Sequence, residues 1–308
     1  MVNFVQVIRD HFVDRLAKGA GLRQHAMTVD EAGTIMTFWV PRYKKAPEEK
    51  KKHAVVLVHG FAGDGMMTWG FQVGALAKHG YDVYVPDLVH FGGSTSPLPD
   101  RTVGFQARCI VAGLRQVGVV EQCTVVGFSY GGLVAFEMAA MYPGLVRSVV
   151  VSGAAVSYTA TMNDALLARF GVASIRELML PETLAGVTRL LTTAFYKKPW
   201  LPRRLAKDFL KVMCSNREER AEMLEDTIIR DKAALPAPVF QQNILLLWAE
   251  HDKFFPIEIG KRLKEELGEK ATLRTIRKAG HLANLERPCV YNRCLKNFLD
   301  HVTLSELT

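Results

Sequence analysis

Short apolar runs alternate with helical repeats along most of the chain. Runs rich in β-branched and aromatic residues predict strands at 34–40, 54–58, 81–85, 124–128, 148–151, 244–248 and 272–276. Apolar spacing of three to four residues predicts helices at 69–79, 103–117, 133–142 and 257–267, with a final helix from Pro288. Several runs are almost wholly apolar, as strands buried on both faces are. The pattern predicts an α/β fold with a doubly wound, mostly parallel sheet.

One interval lacks convincing strands. Helical patterns follow one another at 163–170, 174–180, 181–195, 202–214 and 217–230, separated by prolines. An all-helical insertion between two strands predicts a cap over the carboxyl ends of the sheet, where open α/β sheets bind ligands. We therefore expect a core of residues 28–157 and 236–308 and a helical cap, or lid, at 158–235.

Residues 1–27 are expected to form an amphipathic helix and a linker. The apolar positions Phe4, Ile8, Phe12 and Leu16 recur at helical spacing. A membrane-surface helix is one interpretation. Packing on the domain is favoured, because Asp10 and Asp14 mix with Arg9 and Arg15 on the polar face instead of leaving it purely basic.

Composition narrows the class of protein. The chain has 308 residues, 49% hydrophobic, and a net charge of +8, which excludes collagen-like and disordered chains. Much of the basic excess falls in the lysine-rich stretch 44–52, interpreted as a solvated loop. No nucleic-acid-binding motif appears, so no nucleic-acid partner is expected.

Several features of the sequence predict a cytoplasmic location. No apolar stretch approaches the length of a membrane span, and charges interrupt any signal peptide near the N-terminus. Five scattered cysteines indicate reduced thiols rather than a disulfide framework. They are Cys109, Cys123, Cys214, Cys289 and Cys294.

The candidate nucleophile is Ser129. The sequence Gly127-Phe128-Ser129-Tyr130-Gly131 joins an apolar run to a helical pattern, which is the context of a G-x-S-x-G nucleophile elbow. The serine stands on a sharp turn with its hydroxyl exposed, and a glycine two positions away on each side avoids collisions with neighbouring backbone.

A serine hydroxyl needs a base, and the base needs an orienting carboxylate. His281 lies in Ala279-Gly280-His281, between the last predicted strand and the final helix. Asp252 follows the apolar run 244–248 and is the favoured acid, with Glu250 as its rival. Glu286 is interpreted as an acid at a helix N-terminus. The chain order serine, acid, histidine is that of hydrolase folds.

Backbone N–H groups are expected to stabilise an oxyanion. Tyr130 supplies one, and Phe61 in the glycine-rich loop His59-Gly60-Phe61-Ala62-Gly63 supplies the other. A phosphate-binding loop is disfavoured because a following Lys-Ser/Thr and G-x-G-x-x-G spacing are missing. No histidine pair has metal-ligand spacing, so neither a metal nor a cofactor is expected.

Aromatic residues of the cap and of the acid loop are candidates for a substrate pocket. The set is Phe195, Tyr196, Trp200, Phe209 and Phe254, with Phe255 beside Phe254 as a further candidate. The cap members fit equally well as packing among cap helices. Their apolar character predicts an apolar ligand if they do line the site.

Taken with Pro86-Asp87 and Gly92-Gly93, these motifs resemble the α/β-hydrolase superfamily over about residues 28–302. The chain is more loosely similar to plant members labelled monoacylglycerol-lipase-like or epoxide-hydrolase-like, and to plant hormone receptors of this fold. True epoxide hydrolases carry Asp where Ser129 stands, so the resemblance implies acyl chemistry. It also implies that Asp87 anchors its loop.

We expect an esterase- or lipase-type serine hydrolase that acts on a small to medium, largely apolar carboxylic ester. The alternatives are a small-molecule receptor with slow or single turnover and a membrane-associated acylglycerol lipase. Thioester, lactone and carbon–carbon bond hydrolysis use the same triad and stay open. The oligomeric state is not predicted.

Overall fold

A computed structural model of the chain describes residues 4–42, 52–213, 215–229 and 238–304. The predicted basic loop lies outside the described residues apart from Lys52, as do Cys214 and the predicted boundary at 235–236. Within the described chain, helices and strands alternate as the apolar pattern predicts.

Among the described residues, eight strands form one sheet and two short strands form another. In chain order they are β1 Leu22–Thr28, β2 Ile35–Pro41, β3 Ala54–Val58, β4 Asp82–Pro86, β5 Cys123–Phe128, β6 Val146–Ser152, β7 Tyr158–Thr159, β8 Ile228–Ile229, β9 Asn243–Ala249 and β10 Ala271–Ile276. The large sheet has the order β1-β2-β4-β3-β5-β6-β9-β10. Within the described sheet β2 runs opposite to the other seven strands, so the predicted mostly parallel sheet is confirmed.

Twelve helices are found in the described chain. They are α1 Phe4–Gly19, α2 Gly65–Lys78, α3 Val103–Gln116, α4 Tyr130–Met141, α5 Ala160–Phe170, α6 Ile175–Met179, α7 Leu184–Ala194, α8 Arg203–Met213, α9 Arg217–Thr227, α10 Ile257–Leu267, α11 Ala283–Glu286 and α12 Pro288–Leu304. Helices α3, α4 and α10 cover one sheet face, and α1, α2 and α12 cover the other. The sheet is therefore doubly wound.

The apolar run of β3 shows why its sequence has no polar alternation. Val56 and Val58 pack into the core on one face, whereas Val55 and Leu57 pack into the core on the other. All four side chains are fully buried. A central strand with helices on both faces gains from burying every side chain, which favours a continuous apolar run.

The cap interval contains α5 to α9, as the helical patterns predict. Its two short strands, β7 and β8, pair in parallel where the interval begins and where its described helices end. The expectation of no strand there was therefore wrong. Two-residue strands carry too few side chains to produce a recognisable period.

The N-terminal segment differs from the expected helix and linker. Residues 22–28 form the edge strand β1, paired with β2, so the sheet begins before residue 28. Helix α1 packs on α2. An added Cβ at Gly70 would lie 2.5 Å from Leu16 Cδ1, and the rings of Phe12 and Phe71 meet edge to face at 6.1 Å. The favoured interpretation, packing on the domain, agrees with these contacts.

Candidate active site

Ser129 stands on the turn between β5 and α4. Its backbone has φ 54° and ψ −123°, a conformation that costs a non-glycine residue roughly 1–3 kcal/mol. Crowding explains the two flanking glycines. A Cβ at Gly127 would collide with the carbonyl oxygen of Gly131, and one at Gly131 would collide with the carbonyl oxygen of Val58. The serine is thus held at the carboxyl edge of the sheet by a turn that few other sequences can adopt.

Asp252 and His281 form a buried pair at the same edge. His281 Nδ1 and Asp252 Oδ2 are 2.8 Å apart, and the exposed fractions of the two side chains are 7% and 1%. The other oxygen, Oδ1, accepts the backbone N–H groups of Phe254 and Phe255, both at 2.9 Å. With both oxygens bonded, the carboxylate is fixed in position and orients the imidazole.

Glu250, the rival acid, lies elsewhere. It is exposed, and its carboxylate accepts the backbone N–H of Lys278 at 3.0 Å. Its Oε2 is 3.3 Å from His251 Nε2. The structure therefore brings Asp252, and not Glu250, to His281.

The His281 ring stands over residues that adjoin the serine. Its centroid is 4.8 Å from that of Phe128, which directly precedes Ser129. On another side is Gly153, where an added Cβ would lie 2.8 Å from His281 Cε1 and 3.0 Å from Asp252 Oδ2. The preceding residue, Ser152, accepts the Ser129 N–H at 2.9 Å. Serine, histidine and acid thus meet around the ends of β5 and β6.

The glycine-rich loop after β3 reaches the serine. An added Cβ at Gly60 would lie 3.2 Å from Ser129 Cβ, so the backbone just before Phe61 passes against the serine side chain. The rings of Phe61 and Tyr130 meet edge to face at 6.1 Å. Tyr130 is the first residue of α4, where N–H groups have no acceptor within the helix. Phe61 and Tyr130 therefore flank the serine, as the oxyanion assignment requires.

His59 holds the glycine-rich loop in place through hydrogen bonds. Its Nδ1 donates to the carbonyl of Gly60 at 2.7 Å, and its Nε2 accepts the N–H of Leu88 at 2.9 Å. Complete burial lowers the pKa of His59 to about 4. A neutral imidazole can donate at one nitrogen and accept at the other, which is the pattern seen.

Asp87 joins the next loop to α2. Its Oδ1 accepts the N–H of Gly65 at 2.9 Å, and its Oδ2 accepts that of Gly93 at 3.4 Å. A Cβ at Gly92 would collide with the same carboxylate. These contacts fit the expected role of Asp87 as an anchor of its loop.

Glu286 has contacts that its sequence context did not suggest. Its Oε2 accepts the N–H of Gly280 at 2.6 Å, and both oxygens lie 3.0 Å from the N–H of Tyr196. Lys197 N–H donates to Oε1 at 3.2 Å. Instead of starting a helix, Glu286 is the last residue of α11, and it ties the loop before His281 to the chain after cap helix α7.

The candidate pocket residues are spread between the site and the surface. The Phe254 ring is 4.8 Å from His281 and is buried. Phe195 and Phe209 are half-buried, and Tyr196 is exposed and stacks on His251 at 4.6 Å. Trp200 is 88% exposed. Phe254 thus adjoins the site, whereas Trp200 lies at the surface.

Gly153 was missed in the sequence, whereas Phe255 was a candidate beside Phe254, and the structure places both Gly153 and Phe255 at the site. Gly153 leaves room for the His281–Asp252 pair, and Phe255 stacks on His281 with ring centroids 6.0 Å apart. Gly153 directly follows the apolar run of β6, so its place at the carboxyl edge of the sheet was a usable signal.

The described residues show neither a metal-binding cluster nor a membrane-spanning helix. No group of three or more His, Cys, Asp or Glu side chains among the described residues is arranged to hold a metal ion. Within those same residues, no helix combines the length and apolar character needed to cross a membrane.

Comparison with known proteins decides the family. The family model described as alpha/beta hydrolase fold matches residues 53–288, which is most of the chain. The chain belongs to the alpha/beta hydrolase family. The match spans the elbow, the acid and the histidine loop together with the cap between them.

Similar alpha/beta hydrolases carry out more than one reaction. A 2-hydroxy-6-oxononadienedioate/2-hydroxy-6-oxononatrienedioate hydrolase of Pseudomonas sp is 24% identical over 80% of this chain and 87% of its own. Lipase 1 of Psychrobacter immobilis is 25% identical over 75% of this chain and 72% of its own. A bacterial membrane phospholipase A has the same fold, with a TM-score of 0.78 at 22% identity over 97% of this chain and 92% of that one.

Proposed function

We propose that this protein is a serine hydrolase that cleaves a small to medium, largely apolar carboxylic ester through an acyl-enzyme. The observation that carries the proposal is the 2.8 Å contact between buried His281 and Asp252 beside the strained turn of Ser129. Family membership and the lipase relatives support hydrolysis as the reaction class. The similarity to the plant monoacylglycerol-lipase-like group stays a proposal, because the lipase and dienedioate hydrolase named above are bacterial.

The roles follow from the contacts. Asp252 holds Nδ1 of His281 as the donor, which leaves Nε2 as the acceptor for the Ser129 hydroxyl proton. Ser129 Oγ attacks the ester carbonyl while the N–H groups of Phe61 and Tyr130 stabilise the oxyanion. His281 then gives the proton to the leaving alcohol, and water cleaves the acyl-enzyme. The phenylalanines near His281 favour an apolar acyl or alcohol group.

The test uses wild-type protein and Ser129→Ala with p-nitrophenyl esters of graded acyl length and a fluorophosphonate probe. Wild type should turn over many esters per site and form a covalent adduct with the probe. Ser129→Ala should form none and keep only the acceleration supplied by binding and the oxyanion site, ~10³–10⁴ over water. A burst that stops after one equivalent with every ester would favour the receptor alternative.

Hydrolysis of a carbon–carbon bond in a dienoate is the second candidate, favoured by the dienedioate hydrolase among the relatives. Such a substrate carries a carboxylate, so it needs a cation in the site. Arg220 is buried near the glycine-rich loop of Phe61. Its Cζ atom lies 4.0 Å from the centroid of the Phe91 ring. Its Nε and Nη2 donate to His90 O and Ser215 Oγ. Because Nε and Nη2 already donate to protein acceptors, we favour the ester. Faster turnover of a dienoate than of every ester would reverse the choice.

A further inference from the structure

The chain between the cap helices α7 and α8 and the first turns of α8 carries an unusual surface. Six cations lie in fifteen residues, and all six are exposed: Lys197, Lys198, Arg203, Arg204, Lys207 and Lys211. Trp200 projects among them with 88% of its surface exposed. We call this set of seven residues the Trp200 surface.

Two prolines shape the loop that presents the tryptophan. Pro199 and Pro202 flank Trp200 and Leu201, and a proline ring fixes its own φ and restricts the residue before it. The loop therefore loses less conformational entropy when Trp200 is ordered on a partner. A tryptophan ring exposed to this extent gains from transfer out of water, and its indole N–H suits a boundary between water and apolar groups.

Cations outnumber acids along the segment that carries this surface. Asp208 is the one acid between positions 197 and 211, and it is buried. Helix α1 packs beside α8 and adds no net charge from residue 10 onward, because Asp10 and Asp14 balance Arg15 and Lys18. The exposed charge of the surface is therefore strongly positive.

We propose that the Trp200 surface docks on an anionic phospholipid bilayer. Lysine and arginine near such a membrane are attracted by its negative surface potential, and tryptophan concentrates at the level of the lipid headgroups. Both residue kinds occur here on one short exposed segment. The first helix is not the docking element, because Leu16 and Phe12 are turned toward α2.

The surface adjoins the catalytic loop. Glu286 binds the N–H of Lys197, the first residue of the surface, and the N–H of Gly280, next to His281. Docking would therefore bring the part of the cap that Glu286 ties to the His281 loop close to the lipid headgroups. The proposal goes beyond ester hydrolysis and does not depend on it, since binding is measured with Ser129→Ala as well as with wild type.

The test measures co-sedimentation with vesicles of phosphatidylcholine alone or with about 30 mol% phosphatidylserine. Wild type and Ser129→Ala should both bind the anionic vesicles at least ~10-fold more tightly than the neutral ones. About 0.5 M NaCl should remove most of that difference, because salt screens exposed charges. Equal binding to both vesicles, or none to either, would overturn the proposal.

A charge-matched pair of variants locates the contact. Lys198→Gln, Arg203→Gln, Arg204→Gln and Lys207→Gln together remove four cations from the surface. The control removes four exposed cations from the region of α10 and β10: Lys261, Lys270, Arg274 and Arg277, each to Gln. The first variant should lose at least ~10-fold in affinity for anionic vesicles, and the control should stay within about twofold of wild type. Equal losses would show attraction by net charge alone and reject the site.

Tryptophan fluorescence provides an independent reading. Of the four tryptophans, Trp69 and Trp248 are fully buried and Trp39 is half-buried, so Trp200 dominates any change at the surface. Its emission should shift to shorter wavelength and resist iodide quenching when anionic vesicles are added. Trp200→Phe should abolish the shift. An unchanged spectrum for bound wild type would exclude insertion of Trp200. A preference for single-stranded DNA over vesicles in competition would overturn the choice of a membrane as the partner.

Discussion

The carboxylate of Glu286 accepts the backbone N–H of Gly280 at 2.6 Å, one residue before His281. Because the same carboxylate also binds Tyr196 and Lys197 of the cap, it couples the position of the cap to that of the histidine loop. Glu286 is a positioning residue in this arrangement, since it acts through the backbone that carries His281.

Glu286→Gln should lower kcat more than it changes KM. An amide has one acceptor oxygen, so its NH2 group would face an N–H donor and push the loop out of place. Displacement of a catalytic group by about 1 Å can cost about 100-fold in rate, and we expect a loss of about 10- to 100-fold. Steady-state kinetics and thermal melts measure the effect. Glu269→Gln, at an exposed acid, is the control and should leave both parameters unchanged. An unaltered kcat for Glu286→Gln would refute the coupling.

Asp252→Asn should reduce kcat by ~10⁴, the cost of losing the acid that sets the histidine tautomer. The amide oxygen would stay with the N–H groups of Phe254 and Phe255, which turns the NH2 group toward Nδ1 of His281. Ester hydrolysis under saturating substrate measures the loss. Glu250→Gln should cost little, and the reverse ranking would assign the acid role to Glu250.

Gly153→Ala should impair activity far more than stability. The alanine Cβ would lie 2.8 Å from the His281 ring, at a residue whose φ is 58°. Gly171 is the matched control, because its φ is 59° and an added Cβ has no neighbour within 4 Å. Both variants should lose about 1–2 kcal/mol of unfolding free energy from backbone strain. Only Gly153→Ala should lose ester hydrolysis. Full activity in that variant would mean that the pair tolerates displacement.

Acid should destabilise the fold through His59. Burial lowers the pKa of His59 from 6.5 to about 4 in the folded protein. Between those values the unfolded chain binds a proton that the folded chain does not, so the free energy of unfolding falls as pH falls. The full effect of this one group is roughly 3 kcal/mol, and it makes no contribution above pH 6.5.

Urea unfolding from pH 4 to 7 measures the slope. His59→Gln should be less stable at pH 7, because a glutamine cannot reproduce both hydrogen bonds, yet it should depend less on pH over this range. Identical slopes for wild type and variant would show that other groups govern the acid response.

The sequence predicts helices and strands correctly where apolar residues recur at a clear period and where a proline or glycine marks the ends of the element. Helix α10 begins directly after Pro256 and ends directly before Gly268, and its predicted bounds match the structure. Strand β1 was missed because only Leu22 and Met27 of its residues are buried, which gives an edge strand no regular alternation. Its pairing with β2 is a tertiary property.

The site residues also fall into those that the sequence predicts and those that depend on tertiary contacts. Ser129, Asp252 and His281 follow predicted strands, so their meeting at one sheet edge follows from topology. The contacts of Glu286 with Gly280 and Tyr196 arise from close approach between distant segments, which no local pattern records. Trp200 was predicted as a pocket residue but lies at the surface. No sequence signal in a cap loop distinguishes an aromatic residue that lines a pocket from one that is exposed.

The order of the strands in the sheet has a kinetic consequence. The loops that carry the serine, the acid and the histidine follow β5, β9 and β10. Strand β10 is the last strand of the described chain and lies at the edge of the sheet. The base is therefore absent from the site until β10 has paired with β9 and β9 has paired with β6, and the second pairing joins strands that the helical interval separates along the chain. Enzymatic activity during refolding should return after helical circular dichroism has recovered, so a folding intermediate would be ordered and yet inactive.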